Sequence, residues 1–229
     1  MNLKRLTAVA GALALAAFLA GHQASAGGPA APSGDIVPGE GCTSILVGRL
    51  ASTDGSVMTT HTCDCGTCDW TWRHVPAADH KPGSTRKIYH ISQYKTWPPS
   101  EGLKWDAYKK DFAGLEIPEA AHTYAYHHGM FGYMNEKQVA IGESTIGCQR
   151  KLVNSTPSAK LDLTMLTLLG MERAATAREA IQVMGSLAEK YGYGFHDDGE
   201  MLAVADPNEA WIFEICPVGP LWTPESGKP

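Results

Sequence analysis

Apolar and polar positions change rhythm several times along the chain, and each change predicts an element. Ser44 to Leu50 and Val57 to Thr62 are strand-like runs separated by the turn signal Thr53-Asp54-Gly55-Ser56, which predicts a β-hairpin with Cys42 at the first residue of its first strand. Residues 63–120 are punctuated by Gly and Pro. They also carry Trp70, Trp72, Tyr94, Trp97, Trp105 and Tyr108, so packed loops with little regular structure are expected there.

Regular patterns return after Tyr124. Tyr124 to Tyr126 and Gly132 to Met134 flank His127-His128-Gly129, and Gln138 to Gly142 reads as a strand leading into Glu143-Ser144-Thr145. Leu161 to Ala174 places Leu161, Met165, Leu168 and Leu169 on one helical face. Thr176 with Glu179 is a capping box, and Ala180, Ile181, Met184, Leu187 and Ala188 continue one stripe until Gly192 can end the helix. Met201 to Ala205 and Ala210 to Ile215 form a second strand pair around Asp206-Pro207-Asn208-Glu209. Strands, then helices, then strands predict an α+β fold with a mainly antiparallel sheet rather than a parallel βαβ array.

Composition narrows the function classes. The chain has 229 residues, 44% of them hydrophobic and 19% charged, which fits a globular protein with a real core. A formal net charge of -5 argues against nucleic acid as a partner, since phosphate binding needs a basic face. The N-terminus reads as a secretory signal over residues 1–26. Lys4 and Arg5 precede the apolar run Leu6 to Ala20, and Ala24-Ser25-Ala26 offers small residues for cleavage. An uncleaved anchor is the alternative; after cleavage no stable membrane anchor is expected, and the product would be secreted or periplasmic. Residues 27–41, rich in Gly, Pro, Ala and Ser, read as a linker or propeptide. The organised domain is therefore expected over 42–229.

Six cysteines, Cys42, Cys63, Cys65, Cys68, Cys148 and Cys216, form an even set that an exported chain could use as a disulfide framework. His61-Thr62-Cys63-Asp64-Cys65-Gly66-Thr67-Cys68 packs several soft ligands into one segment, so a zinc or copper site is the competing reading. A second ligand pair at a standard spacing is missing, which favours a local disulfide.

Cys42 differs in kind because it stands where the Gly-rich leader meets the first strand. Cleavage before it would give one residue both a thiol and an α-amine. That amine, with an ordinary pKa of about 8, can take the thiol proton, so one residue supplies nucleophile and base.

Several segments then carry a family resemblance. Cys42-Thr43-Ser44-Ile45-Leu46-Val47-Gly48, Asp54-Gly55-Ser56, His61-Thr62-Cys63-Asp64 and Met134-Asn135-Glu136-Lys137-Gln138-Val139-Ala140-Ile141-Gly142-Glu143-Ser144-Thr145 resemble the C69 dipeptidases, which are N-terminal nucleophile hydrolases. Glu172 to Ala180, Tyr191-Gly192-Tyr193 and Asp206 to Trp211 extend the likeness over nearly all of residues 42–222.

The resemblance implies a four-layer αββα sandwich, a dipeptide substrate, and Cys42 as the nucleophile exposed by removal of the leader. It implies that Asp64 holds the α-amine or the substrate amine. His61 stands where many relatives carry an arginine, and a histidine is a weaker, titratable cation. Oxyanion donors are expected from Ser144 and Thr145 at the end of a strand, with Asn135 second; the alternative is a plain turn at Asn135-Glu136 and a Ser144 that only caps a loop. No metal or cofactor is expected, and a homo-oligomer stays open. Family members are about twice as long as this chain, so only the N-terminal half of the sandwich is expected. Two other readings stand beside the dipeptidase: an N-terminal nucleophile amidase acting on another N-acyl amide, and a secreted disulfide or metal-binding module without catalysis.

Overall fold

Alternating exposure along the first hairpin sets the arrangement of everything behind it. The computed structural model describes residues 42–63, 72–90, 112–149, 151–153, 158–194, 198–221, 223 and 225. Within it β1 (Thr43–Val47) pairs antiparallel with β2 (Met58–Thr62), from Thr43↔Thr62 to Val47↔Met58. Ser44, Leu46, Thr59 and His61 share one half-buried face, as the two-residue period of a strand requires. Ile45 and Met58 lie on the other face and are 57% and 49% exposed. The connecting loop turns at the expected place, with Asp54 Oδ1 accepting from Ser56 N at 2.9 Å and Gly55 at φ 78°.

Residues 72–90 and 112–123 hold more strand than the loops expected there. β3 (Arg73–Val75) enters the main sheet, β4 (Ala78–Asp79) pairs with β7 (His122–Thr123), and β5 (Thr85–Tyr89) pairs with β6 (Phe112–Pro118). The period of two in β5 is disguised because Arg86 occupies an inward position. Its guanidinium is buried against Glu172 at 2.8 Å, and Tyr126 Oη donates to the same carboxylate oxygen at 3.1 Å.

A six-stranded, fully antiparallel sheet forms the middle of the fold. It comprises β3, β8 (Tyr126–His128), β9 (Gly132–Asn135), β10 (Ala140–Ile146), β11 (Gly199–Ala205) and β12 (Ala210–Ile215). Its spatial order is β12-β11-β10-β9-β8-β3. Gln138, at φ 63°, belongs to the turn before β10, not to the strand as its sequence suggests. Glu143, Ser144 and Thr145 lie inside β10, paired with Leu202, Met201 and Glu200 of β11, and do not follow the strand.

Two helices cover one face of this sheet. α1 (Leu163–Arg173) starts at Asp162, whose Oδ1 accepts from Met165 N at 2.7 Å. Leu161 stands outside the helix, bridged to Tyr193. Every residue from Leu163 to Glu172 is buried, so α1 packs on all sides and not through a single stripe. α2 (Ala177–Tyr191) is the amphipathic one and follows its predicted cap: Glu179 N donates to Thr176 Oγ1 at 3.2 Å, and Gly192 at φ 78° ends it. Each fully buried Leu, Met or Ile between helices and sheet contributes roughly 1.5–3 kcal/mol.

Hairpin and helices take opposite faces. Gly132 N donates to Thr167 Oγ1 of α1 at 3.1 Å, whereas its neighbours Phe131 and Tyr133 turn the other way, toward His61 of β2. The order of layers is hairpin, sheet, helices, in a mainly antiparallel α+β fold. Among the described residues no helix is long and apolar enough to cross a membrane.

Candidate active site

Hairpin register builds the site. Because Thr43 pairs with Thr62, the residues one step further out, Cys42 and Cys63, face each other across the open end of β1 and β2. Thr43 N donates to Thr62 Oγ1 at 3.2 Å and holds that end together. Two bonds seat the hairpin on the sheet: Ser44 Oγ donates to the Glu143 carbonyl at 3.3 Å, and Thr59 Oγ1 donates to the Ala203 carbonyl at 3.2 Å.

Glu143 completes the cluster. The Cys42 and Cys63 sulfurs and a Glu143 carboxylate oxygen all lie within 4.8 Å of one another. Both cysteines are half-buried and Glu143 is 1% exposed. Thr145 Oγ1 donates to Glu143 Oε1 at 3.2 Å and so acts on the carboxylate. Two sulfurs and one carboxylate also form a donor set that suits a soft divalent cation such as zinc.

His61 lies against an aromatic wall. Its ring is 5.2 Å from that of Phe131 and 6.1 Å from that of Tyr133, which continues to Trp72 at 5.2 Å. Trp72 Nε1 in turn donates to His127 Nδ1 at 2.8 Å. Burial lowers the His61 pKa, and the Glu143 charge opposes that shift only in part. A neutral imidazole follows at neutral pH, which differs from the cation its position suggests.

Asn135 is fully committed to the backbone. Its amide nitrogen donates to the carbonyls of Met171 at 3.0 Å and Ala174 at 2.7 Å, and its Oδ1 accepts from Lys137 N and Val139 N, each at 3.0 Å. That uses both N–H groups and both lone pairs, so an oxyanion role finds no spare donor here. Asn135 locks the β9–β10 turn onto the end of α1. Ser144 is buried in mid-β10, opposite Met201.

Asp64, Cys65 and Cys68, like residues 1–41, lie outside the described residues. Sequence reasoning did not single out Cys63 and Glu143 as neighbours of Cys42. Counting the hairpin register outward from its turn would have found Cys63; for Glu143 no local signal exists, because its place depends on the β10–β11 pairing.

Against this geometry the comparison with known families is decisive: the family model "Peptidase family C69" matches residues 41–224. The chain belongs to peptidase family C69. The match begins one residue before Cys42 and runs through the sheet, both helices and β12. A "probable dipeptidase" from Latilactobacillus sakei is 24% identical to this C69 chain over 188 residues, covering 76% of the chain and 34% of the relative. The chain thus spans about a third of the length of that curated relative.

Proposed function

We propose that this C69 chain is a cysteine-type dipeptidase of the N-terminal nucleophile class, exported and activated by loss of residues preceding Cys42. The observation that carries this reading is the position of Cys42 at the start of β1, half-buried, at the boundary where the family match begins.

In the reaction, the Cys42 thiol gives its proton to the adjacent α-amine and its sulfur attacks the peptide carbonyl carbon. The C–N bond breaks, the leaving amine takes up the proton, and a thioester remains on Sγ. Water then attacks the thioester and frees the second amino acid. Glu143 places a buried carboxylate beside the Cys42 sulfur, and Asp64 is the further acidic group for the amine. Trp72 and the part-buried Tyr133, backed by the buried Phe131, offer an apolar surface to a substrate side chain.

Mass analysis of the purified protein and a dipeptide panel test this together. A chain starting at Cys42, modified by a thiol reagent and inactive as Cys42→Ala, supports it; Cys42→Ser should slow both processing and turnover. Full activity with the leader attached would overturn it. Hydrolysis of N-acyl amides but not of dipeptides would move the assignment to the amidase reading. The donor set of Cys42, Cys63 and Glu143 favours a second reading, a metal-binding module. Stoichiometric zinc in an inactive, thiol-unreactive protein would establish that one.

A further inference from the structure

Two strands that flank a third stand about 9–10 Å apart, beyond the Cα separation a disulfide spans. β10 and β12 flank β11 in this way, with Ile146↔Gly199 and Glu200↔Ile215 as the last pairs. Cys216 follows its pair level with Gly199, the first residue of β11, and Cys148 lies two residues past Ile146, beyond the end of β11, where its chain can converge on Cys216. Gly199 makes the convergence complete. A Cβ there would overlap Cys148 Sγ and come within 3.0 Å of Cys216 Sγ, so the two sulfurs share the space its missing side chain leaves. The thiols are close enough to hydrogen-bond, and Asp198 Oδ1 accepts from Cys148 N at 3.0 Å to pin the approach.

We infer that Cys148 and Cys216 form a disulfide that clips β10, the strand bearing Glu143, to the edge strand β12 over Gly199. It is independent of the catalytic proposal and sorts the cysteines: this pair for structure, Cys42 for chemistry.

The bond forms by exchange with a small-molecule disulfide such as oxidised glutathione. The exposed Cys216 thiolate attacks one glutathione sulfur and expels the other as a thiolate. Cys148, losing its proton to solvent, then attacks Cys216 Sγ and expels the second glutathione. Two protein thiols are oxidised, one glutathione disulfide is reduced to two thiols, and two protons balance the thiolates. Burial, followed by the neighbouring Cys216, holds the Cys148 thiol at about 12, which makes Cys216 the first attacker.

Tryptic digestion separates the alternatives, because Cys148 is the only cysteine in 138–150 and Cys216 the only one in 191–229, while Cys42 falls in a peptide ending at Arg49 and Cys63 in 50–73. Full-length protein equilibrated with oxidised and reduced glutathione is alkylated unfolded and digested without reductant. The expected product is 138–150 linked to 191–229, released by reduction. Reduction should lower the Tm by roughly 5–10 °C in the wild type and leave a Cys148→Ser/Cys216→Ser protein unmoved. Alkylated Cys148 and Cys216, or Cys148 linked to another cysteine, would overturn the inference, and this readout stands even if the serine variants fail to fold.

Discussion

Cys63 faces Cys42 across the open end of the first hairpin, its sulfur within 4.8 Å of the Cys42 sulfur and of a Glu143 carboxylate oxygen. A second thiol this close to the proposed nucleophile has a chemical consequence. Hydrogen peroxide converts a thiolate to a sulfenic acid with release of hydroxide, and a neighbouring thiol condenses with it to a disulfide, releasing water. Mild peroxide should therefore silence dipeptide hydrolysis, and dithiothreitol should restore it. Cys63→Ala should keep its activity before treatment but lose the recovery, since its sulfenic acid goes on to irreversible oxidation. Equal recovery in both proteins would show that Cys63 is not the resolving thiol.

Two glycines make opposite predictions. A Cβ on Gly142 would lie 3.1 Å from Thr59 Oγ1, 3.3 Å from the Thr60 carbonyl and 3.4 Å from His61 Nδ1, so β2 must give way. Gly142→Ala should cost about 1 kcal/mol and Gly142→Val about 2–3 kcal/mol. Both should lower kcat/KM, because the hairpin carries Cys42 and Cys63 with it. Gly185, within α2, has open space where a Cβ would stand, with nothing within 4 Å. Gly185→Ala should stabilise by roughly 0.5–1 kcal/mol through helix propensity and leave kinetics unchanged. Guanidinium unfolding with a dipeptide assay on each variant checks both.

Elements encoded by near neighbours were legible in the sequence. The first hairpin announces itself through Asp54-Gly55, and α2 through Thr176, Glu179 and Gly192, since each signal and its effect lie within a few residues. β5 was hidden because its inward Arg86 is made tolerable by Glu172, 86 residues away. Glu143-Ser144-Thr145 read as the segment after a strand ending at Gly142, yet the full β10–β11 ladder holds it inside β10. Cys42 could be picked out from its place after the Gly-rich segment 27–41. Of its neighbours, Cys63 follows only once the hairpin register is counted outward, and Glu143 does not follow at all, because it arrives through a sheet assembled from distant strands. Asn135 drew attention as a polar residue in a family motif, but its four backbone bonds to two elements are a tertiary fact.

Asp206 fastens α2 to the β11–β12 turn. Its Oδ2 accepts from Ala177 N at 2.8 Å, while Oδ1 accepts from Asn208 N at 2.7 Å and Glu209 N at 3.0 Å. Burial alone pushes this carboxyl up, but those three N–H groups and the nearby Arg178 outweigh it and hold the pKa below the ordinary value. Asp206→Ala should cost about 1–2 kcal/mol at pH 7. The carboxylate contributes stability above its unfolded pKa of about 3.9 and loses it as pH falls through the lower folded value. The acid limb of the unfolding curve should therefore be shallower in the variant, and an unchanged limb would rule out this contribution.

His61 titrates in the opposite setting, with burial favouring the neutral ring and Glu143 favouring the charged one. Since burial is the larger effect, its NMR midpoint should lie below the ordinary histidine value of about 6.5. Between the folded and unfolded values the unfolded chain binds more protons, so stability falls as pH drops from about 6.5 through the folded midpoint. His61→Gln should remove that part of the slope. Glu143→Gln should lower the midpoint further, because it takes away the charge that raises it. A midpoint that rises in Glu143→Gln would mean the carboxylate does not act on the ring, and the electrostatic link between β2 and β10 at the mouth of the site would have to be abandoned.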